Sequence, residues 1–529
     1  MSDVLIVGAG HNALVCAWYL ASAGLKVTML ERRHVVGGAA VTEEFAPGFR
    51  NSTASYTVSL LQPKVIRDMA LERHGLRVVL RKVDNFLPTL GGDHILSGRG
   101  GLTRREIARH APGDAEAYGE YSAALDSVVA VLRRWILRAP PNAGGGIGDV
   151  LAGLSLGRDL KALDAEERRQ LLDFFTKSAG EILRRYFRHE LVQALFGFDA
   201  VVGNYASPES PGSAYVLLHH VFGEAAGVPG AWGHAIGGMG AITQAMARAC
   251  REAGVEIVLE APVDELIVER GRAVGAVAHG RAYRAGAIAA GLHPKLLFRD
   301  LVPDGAVAPE IARRMAGWAS ESATFRMNVA LSELPRFTSL PGPGDHLTAG
   351  IVIAPSLAYM DRAYLTARTG LWSAEPIVEM LIPSTLDDSL APAGAHVASL
   401  FCQHFPYEVE GGWEERREAA ADAIVATVDR YAPGFAASVI ARSPLSPMDL
   451  EQRFGLVGGD IFHGRMSLDQ LFSARPMLGH ADYRMPLPGL YLCGSGAHPG
   501  GGVTGAPGHN AAAAILADRR RLGRGRRRS

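Results

Sequence analysis

Cysteine is scarce. The 529 residues hold four, Cys16, Cys250, Cys402 and Cys493, too far apart for a CxxC pair or a zinc-ligand spacing. A disulfide framework and a dithiol redox centre are both excluded on that pattern, and a reducing compartment is expected. Charge of one sign is also lacking: 54 basic side chains balance 54 acidic ones, so nothing in the overall charge points to a nucleic-acid partner. No apolar run reaches the roughly 18–20 residues that cross a bilayer. The opening Met1-Ser2-Asp3 passes at once into Val4-Leu5-Ile6-Val7, without the basic stretch and cleavage site of a signal peptide. A cytoplasmic protein is therefore expected. The 62 glycines lack a three-residue period, which rules out a collagen-like chain.

What is present begins at the amino end. Residues 4–7 are a short apolar run suited to a buried parallel strand. Gly8, Gly10 and Ala13 follow in GxGxxA spacing, and Leu14, Ala17, Trp18 and Ala21 recur at helical intervals until Gly24. Residues 27–30 read as a second strand, closed by Glu31 about 20 residues beyond the glycines. Strand, glycine turn, helix, strand and acid together form a dinucleotide fingerprint. Gly8 permits the tight turn, Gly10 admits a pyrophosphate to the backbone, and Ala13 keeps helix and strand close. The helix N-terminus attracts the phosphates, and Glu31 suits a ribose hydroxyl pair.

The Gly37-Gly38 doublet soon afterwards continues the pattern found in two-dinucleotide-fold flavoproteins. No second fingerprint lies in the middle of the chain, where a nicotinamide domain would need one. A later Gly494-x-Gly496-x-x-Pro499 does follow a strand, but Pro499 cannot serve as the small third residue. One nucleotide site, filled by FAD, is the better reading. The expected cofactor contacts are Gly8, Gly10, Ala13, Glu31, Arg32, Gly37, Gly38, Val263, Gly494, Ser495, Gly502 and Val503.

A largely helical stretch is predicted from about 114 to 188, with Asp114 as a cap and Asp164 with Glu167 as a capping box. Residues 140–146, two prolines and three glycines among them, break it. A helix from about 239 to 253 precedes strands near 255–259, 263–268 and 273–278. Short strands and one helix fill 320–480. The last strand leads into a glycine-rich loop, then an alanine-rich helix and the arginines 519–528, which are expected to form a disordered basic tail with room for peripheral membrane contact.

Several segments resemble the phytoene desaturase-related FAD-dependent oxidoreductases. They are Glu31-Arg32-Arg33 through Gly37-Gly38-Ala39-Ala40; Trp232 with Gly237-Gly238-Met239-Gly240; Asp460-Ile461-Phe462-His463; Arg475-Pro476; and Gly489-Leu490-Tyr491-Leu492-Cys493-Gly494 with His498-Pro499-Gly500-Gly501-Gly502-Val503. The resemblance spans nearly the whole chain. It implies an α/β fold: a Rossmann-like FAD domain with an interleaved α+β substrate domain. The expected division is FAD-binding segments at 1–105, 236–300 and 481–518, a helical substrate segment at 106–235, a mixed sheet at 301–480, and a basic tail at 519–529.

The implied activity is hydride removal from a small, apolar substrate, with electrons passed to oxygen, a quinone or another carrier. A flavin amine oxidase is the main alternative, although no aromatic cage or flavin-proximal lysine is evident by spacing. A flavoprotein retained as a regulatory module is the other. His498, beside the terminal glycine loop, is the candidate for proton handling or substrate positioning, with a structural hydrogen bond that fixes the loop as the equal alternative. No metal site is expected, since His219-His220 lacks further ligands at defined spacing.

Overall fold

The computed structural model describes the backbone of residues 1–526. Two sheets organise it. In the first, parallel strands run in the order Glu256–Val258, Val27–Leu30, Ser2–Val7, Arg281–Ala290 and Leu490–Leu492. Chain order therefore reverses between Ser2–Val7 and Arg281–Ala290, as it does at the switch point of a nucleotide-binding sheet. An antiparallel pair, Val263–Glu269 and Arg272–Ala278, extends from the amino-terminal half of Arg281–Ala290. The central strand Ser2–Val7 is buried on both faces along its apolar run, as its continuous apolar sequence requires: Val4, Leu5, Ile6 and Val7 are at most 3% exposed.

Helices His11–Ser22 and Ala506–Arg526 cross closely on one side of this sheet. Gly508 makes that crossing feasible, because a Cβ there would lie 1.9 Å from the Asn12 carbonyl oxygen. Ala13 has a matching role against the sheet: a Cβ on Gly291 would come within 2.8 Å of the Ala13 Cβ. The third fingerprint position is small because the neighbouring strand passes that near.

The second sheet is mixed, in the order Val439–Leu445, Phe325–Leu331, His396–Gln403, Ile377–Leu381, Gly350–Ile353, Asn85–Pro88 and His94–Ser97. Only the Gly350–Ile353 and Asn85–Pro88 pair is parallel. Helix Gly412–Tyr431 packs on the core of this sheet through Trp413, Ile424 and Val428. A separate helical layer contains Pro112–Ile136, Ala165–Thr176, Ala179–Tyr186, Glu190–Gly197 and Ala214–Val221. Its apolar core includes Leu125, Val128, Val129 and Ile136, which recur at helical spacing along Pro112–Ile136.

Three expectations change. Strands Asn85–Pro88 and His94–Ser97 belong to the second sheet, so the first FAD-binding segment ends well before 105; their pairing partner at Gly350–Ile353 is far away in sequence. The basic tail is not separate from the terminal helix, which continues to Arg526, and Arg519 is tied to Asp3 by a 2.6 Å ion pair. Arg527 and Arg528 lie outside the described residues. Asp114 does not cap its own helix but accepts the backbone N–H groups of Arg188 and His189, bracing the start of Glu190–Gly197. The capping box of Asp164 and Glu167 is present with both reciprocal hydrogen bonds. All four cysteines are buried and free.

Candidate active site

A cavity of about 350 Å³ opens at the carboxyl ends of Ser2–Val7 and Arg281–Ala290, where the strand order reverses. Ligands of doubly wound sheets bind in that crevice. Gly8, Gly10 and Ala13 form its floor at the N-terminus of His11–Ser22. Glu31, Arg32 and Val263 stand at one end, Gly37 and Gly38 lie above, and Gly494 and Ser495 close the other side. The structure thus brings together ten residues that the sequence places on separate stretches of chain.

Local reasons for these placements differ. Gly8 has φ +86°, a conformation that favours glycine. Gly37 has φ +126° and is hemmed in, since a Cβ would fall 2.6 Å from the Ala40 carbonyl oxygen. Its N–H donates to the Ala9 carbonyl, which pins the doublet over the fingerprint turn. Gly10 is different: its φ of −67° admits any residue, and a Cβ there would meet nothing within 4 Å. It points into the cavity. Glu31 is held by backbone, Oε2 accepting from Ala9 N–H at 2.7 Å and Oε1 from Arg33 N–H at 2.9 Å.

Gly502 and Val503 line a second cavity of about 130 Å³, which shares the walls His11, Ala39, Leu456, His463 and Ser495 with the first. Most of its lining is apolar, including Leu60, Leu61, Val202, Ile461 and Phe462. One edge is polar. Tyr56 donates its hydroxyl hydrogen to Glu379, and Thr57 accepts from Arg81. Burial pushes the Glu379 carboxyl up despite the pull of Arg81, and it also pushes up the Tyr56 phenol. Arg326 lies over the Tyr56 ring, 4.5 Å from its centroid.

His498 is not part of either lining. Its Nε2–H donates to the Trp135 carbonyl at 3.0 Å, and its ring meets Phe472 edge to face. Burial holds its pKa down to about 4. The expected proton-handling role is therefore withdrawn: the ring turns away from the cavities and ties the glycine loop to helix Pro112–Ile136.

Other groups reach the cavities instead. His463 lines both and has φ +57°; burial, with Arg475 and His11 nearby, lowers its pKa to about 3. His11 donates Nε2–H to the Gly502 carbonyl and is lowered to about 4 by burial. His293 accepts Lys295 N–H at Nδ1, so its Nε2–H donates to Ser320. Burial keeps it well below the usual histidine range. These three rings are neutral near pH 7. Arg475, fully buried, donates to the carbonyls of Phe462 and Ser495 at 2.7 and 2.9 Å and so clamps the His463 loop to the Ser495 loop. Burial raises Asp460 to about 6, and its carboxylate accepts from Phe462 and Gly464 N–H.

Asn12 was not apparent from sequence. Its Nδ2 donates to Ser495 Oγ, while its buried Oδ1 has no hydrogen-bond partner among the described residues. The switch-point rule could have found His293, three residues beyond the central strand Arg281–Ala290, but not Asn12. The residues present fit a bound dinucleotide. A side-chain-free turn faces open space at Gly10, and two buried polar atoms at the wall, Asn12 Oδ1 and His463 Nδ1, lack hydrogen-bond partners among the described residues.

A nucleotide crevice at the switch point of one sheet, joined to an apolar chamber beneath a second, is the arrangement of a two-domain flavoprotein oxidoreductase. The family model described as flavin containing amine oxidoreductase matches residues 14–317, and the chain belongs to that family of FAD-dependent enzymes. It is 39% identical to pyridine nucleotide-disulfide oxidoreductase domain-containing protein 2 of Rattus norvegicus, over 98% of this chain and 93% of the relative. It is 26% identical to the lycopene-forming phytoene desaturase of Pantoea ananas, over 98% of this chain and 99% of that one. Among solved structures, cyclohexylamine oxidase from Brevibacterium oxydans IH-35A superposes with a TM-score of 0.60 at 14% identity, covering 98% and 99% of the two chains. That last likeness concerns the fold.

Proposed function

We propose that this FAD-dependent oxidoreductase takes hydride from a largely apolar small molecule seated in the second cavity. The observation that carries the reading is the apolar lining of that chamber and the wall it shares with the nucleotide crevice at Ser495 and His463. Small-molecule sites of this kind are apolar with a few polar anchors. The phytoene desaturase relative, named for an apolar hydrocarbon, supports it.

Bound FAD supplies the hydride acceptor. The backbone at Gly8 and Gly10 and the N-terminus of His11–Ser22 would hold the pyrophosphate, and Glu31 the adenosine ribose. Gly494, Ser495, Gly502 and Val503 would flank the flavin end, and Asn12 Oδ1 is open to a hydroxyl donor. Neutral His11, His293 and His463 place no cation beside these groups. Leu60, Leu61 and Phe462 exclude water from the chamber, and Tyr56 Oη marks the edge where a substrate's polar group or departing proton would sit. With one nucleotide fingerprint, NADH and NADPH are poor donors, and oxygen, a quinone or another carrier reoxidises the enzyme.

Anaerobic mixing with a panel of lipophilic alkenes, amines and hydroxy acids tests the reading through loss of flavin absorbance. Apolar compounds should bleach the flavin. Bleaching by amines alone would favour amine oxidation instead, and stoichiometric reduction by micromolar NADPH would overturn the electron route.

A further inference from the structure

Helix Ile147–Lys161 has fifteen residues and none of them is buried. An apolar helix of this kind normally spends its stripe on a core. Here Ile147, Val150, Leu151 and Leu154 are 82%, 58%, 61% and 63% exposed. At 100° per residue these four positions share one face about 100° wide. Extended one turn further, the same face carries Arg158 and Lys161, neither of which has an ion pair among the described residues. The two acids of the helix point the other way: Asp149 accepts from Asn142 N–H, and Asp159 from the Trp135 indole. The outward face therefore combines two turns of large apolar side chains with a cationic last turn, and its anions are spent on the protein.

We propose that this face docks on an anionic lipid surface. The ordering of its residues matches an interfacial helix, with leucines that enter the acyl boundary and cations that meet headgroups. A protein partner would need no such segregation of charge. The helix is also coupled to the site. Trp135 donates its indole N–H to Asp159 and accepts from His498 at its carbonyl, so a docked helix stands two contacts from the glycine loop that lines the apolar chamber. The docking argument rests on the exposed face alone and survives if the substrate reading fails.

The test is co-sedimentation of the holoenzyme with vesicles of phosphatidylcholine, with or without phosphatidylglycerol. Wild type should bind the anionic vesicles more tightly, and added salt should weaken binding. Leu151→Asp/Leu154→Asp should lower the partition coefficient about tenfold or more while flavin content stays unchanged. Arg158→Gln/Lys161→Gln should lower it roughly tenfold on anionic vesicles and little on phosphatidylcholine alone. Should the aspartate variant lose its flavin, Ile147→Ser/Val150→Ser, on the same face, gives a milder readout of the same loss. Absence of binding by wild type, or binding that none of these variants weakens, would overturn the proposal. So would a concentration-dependent dimer abolished by Leu151→Asp/Leu154→Asp in a protein that ignores vesicles, since the face would then belong to a second copy.

Discussion

Replacing Gly10 by valine should separate cofactor binding from folding. Gly10 has φ −67° and open space where a Cβ would go, so the apoprotein can accept a side chain there. Losing a favourable cap residue at the start of His11–Ser22 costs about 1 kcal/mol at most. The added isopropyl group would stand where a pyrophosphate must approach the turn. Two backbone-to-phosphate hydrogen bonds, at about 1.5–3 kcal/mol each for a charged acceptor, would be lost, or roughly 10²–10⁴ in affinity. Gly508→Val provides the contrast. A Cβ there meets the Asn12 carbonyl oxygen at 1.9 Å, so the two helices must separate and the apoprotein itself should lose several degrees of thermal stability. The assay pairs the flavin-to-protein absorbance ratio with thermal unfolding of each apoprotein. Gly10→Val should be folded and nearly flavin-free, with apo unfolding within about 2 °C of wild type. Full flavin occupancy in a folded Gly10→Val protein would refute the assignment of the turn, and so would an apo unfolding temperature that falls as far as that of Gly508→Val.

Arg475→Met should cost about 3–5 kcal/mol in denaturant titrations, because it strands the Phe462 and Ser495 carbonyls and the buried Asp460; Arg475→Lys should rescue little, and equal stability of Lys and Arg would disprove the clamp. Burial holds His404 and His463 at about 3 and His11 and His498 at about 4, below their ordinary 6.5. The unfolded chain thus takes up more protons, and stability present above pH 6.5 falls as the pH drops toward 4, by about 2 kcal/mol per histidine at pH 5. Asp460, raised to about 6, works in the opposite sense between 3.8 and 6 and offsets part of one. His404 has no hydrogen-bond partner at either ring nitrogen among the described residues, so His404→Leu should reduce the acid limb of the stability curve by close to one proton; an unchanged slope would count against its burial as a neutral ring. His498→Ala should leave the bleaching rate per bound flavin unchanged while lowering stability by about 1–2 kcal/mol, and a tenfold slower rate would return it to the site.

Legibility followed the range of the constraint. The fingerprint was readable because strand, turn, helix and acid lie within the first 31 residues, where each restricts the next. The terminal loop was readable as a stretch that lines a cavity, but the role of His498 stayed open: proximity in sequence to Gly494 and Gly502 does not fix which way a ring faces, and Trp135 and Phe472, hundreds of residues earlier and 26 earlier, decide it in favour of the structural hydrogen bond. Strands Asn85–Pro88 and His94–Ser97 carry no local mark of the sheet they join, since the partner strand is Gly350–Ile353. Asp114 looked like a cap because caps are local, and its carboxylate instead serves a turn 74 residues on. The polar edge of the chamber was invisible for the same reason: Tyr56, Arg81, Arg326 and Glu379 come from four separate strands or loops.

The sheet that frames the nucleotide crevice also imposes an order of events on biosynthesis. Its first strand is Ser2–Val7 and its last is Leu490–Leu492, and the helix that packs against His11–Ser22 begins only at Ala506. At roughly 5–20 residues per second, about 25–100 s separate translation of these two strands. During that interval Gly8 and Gly10 exist without Ser495 or Gly502 opposite them. Closure of the crevice is thus an event of the finished polypeptide, and a ribosome stalled before residue 490 should release a chain that exposes an apolar strand and retains no yellow colour. Riboflavin-starved cells should then accumulate a complete, folded apoprotein, so that active enzyme is limited by cofactor after release rather than by the rate of synthesis.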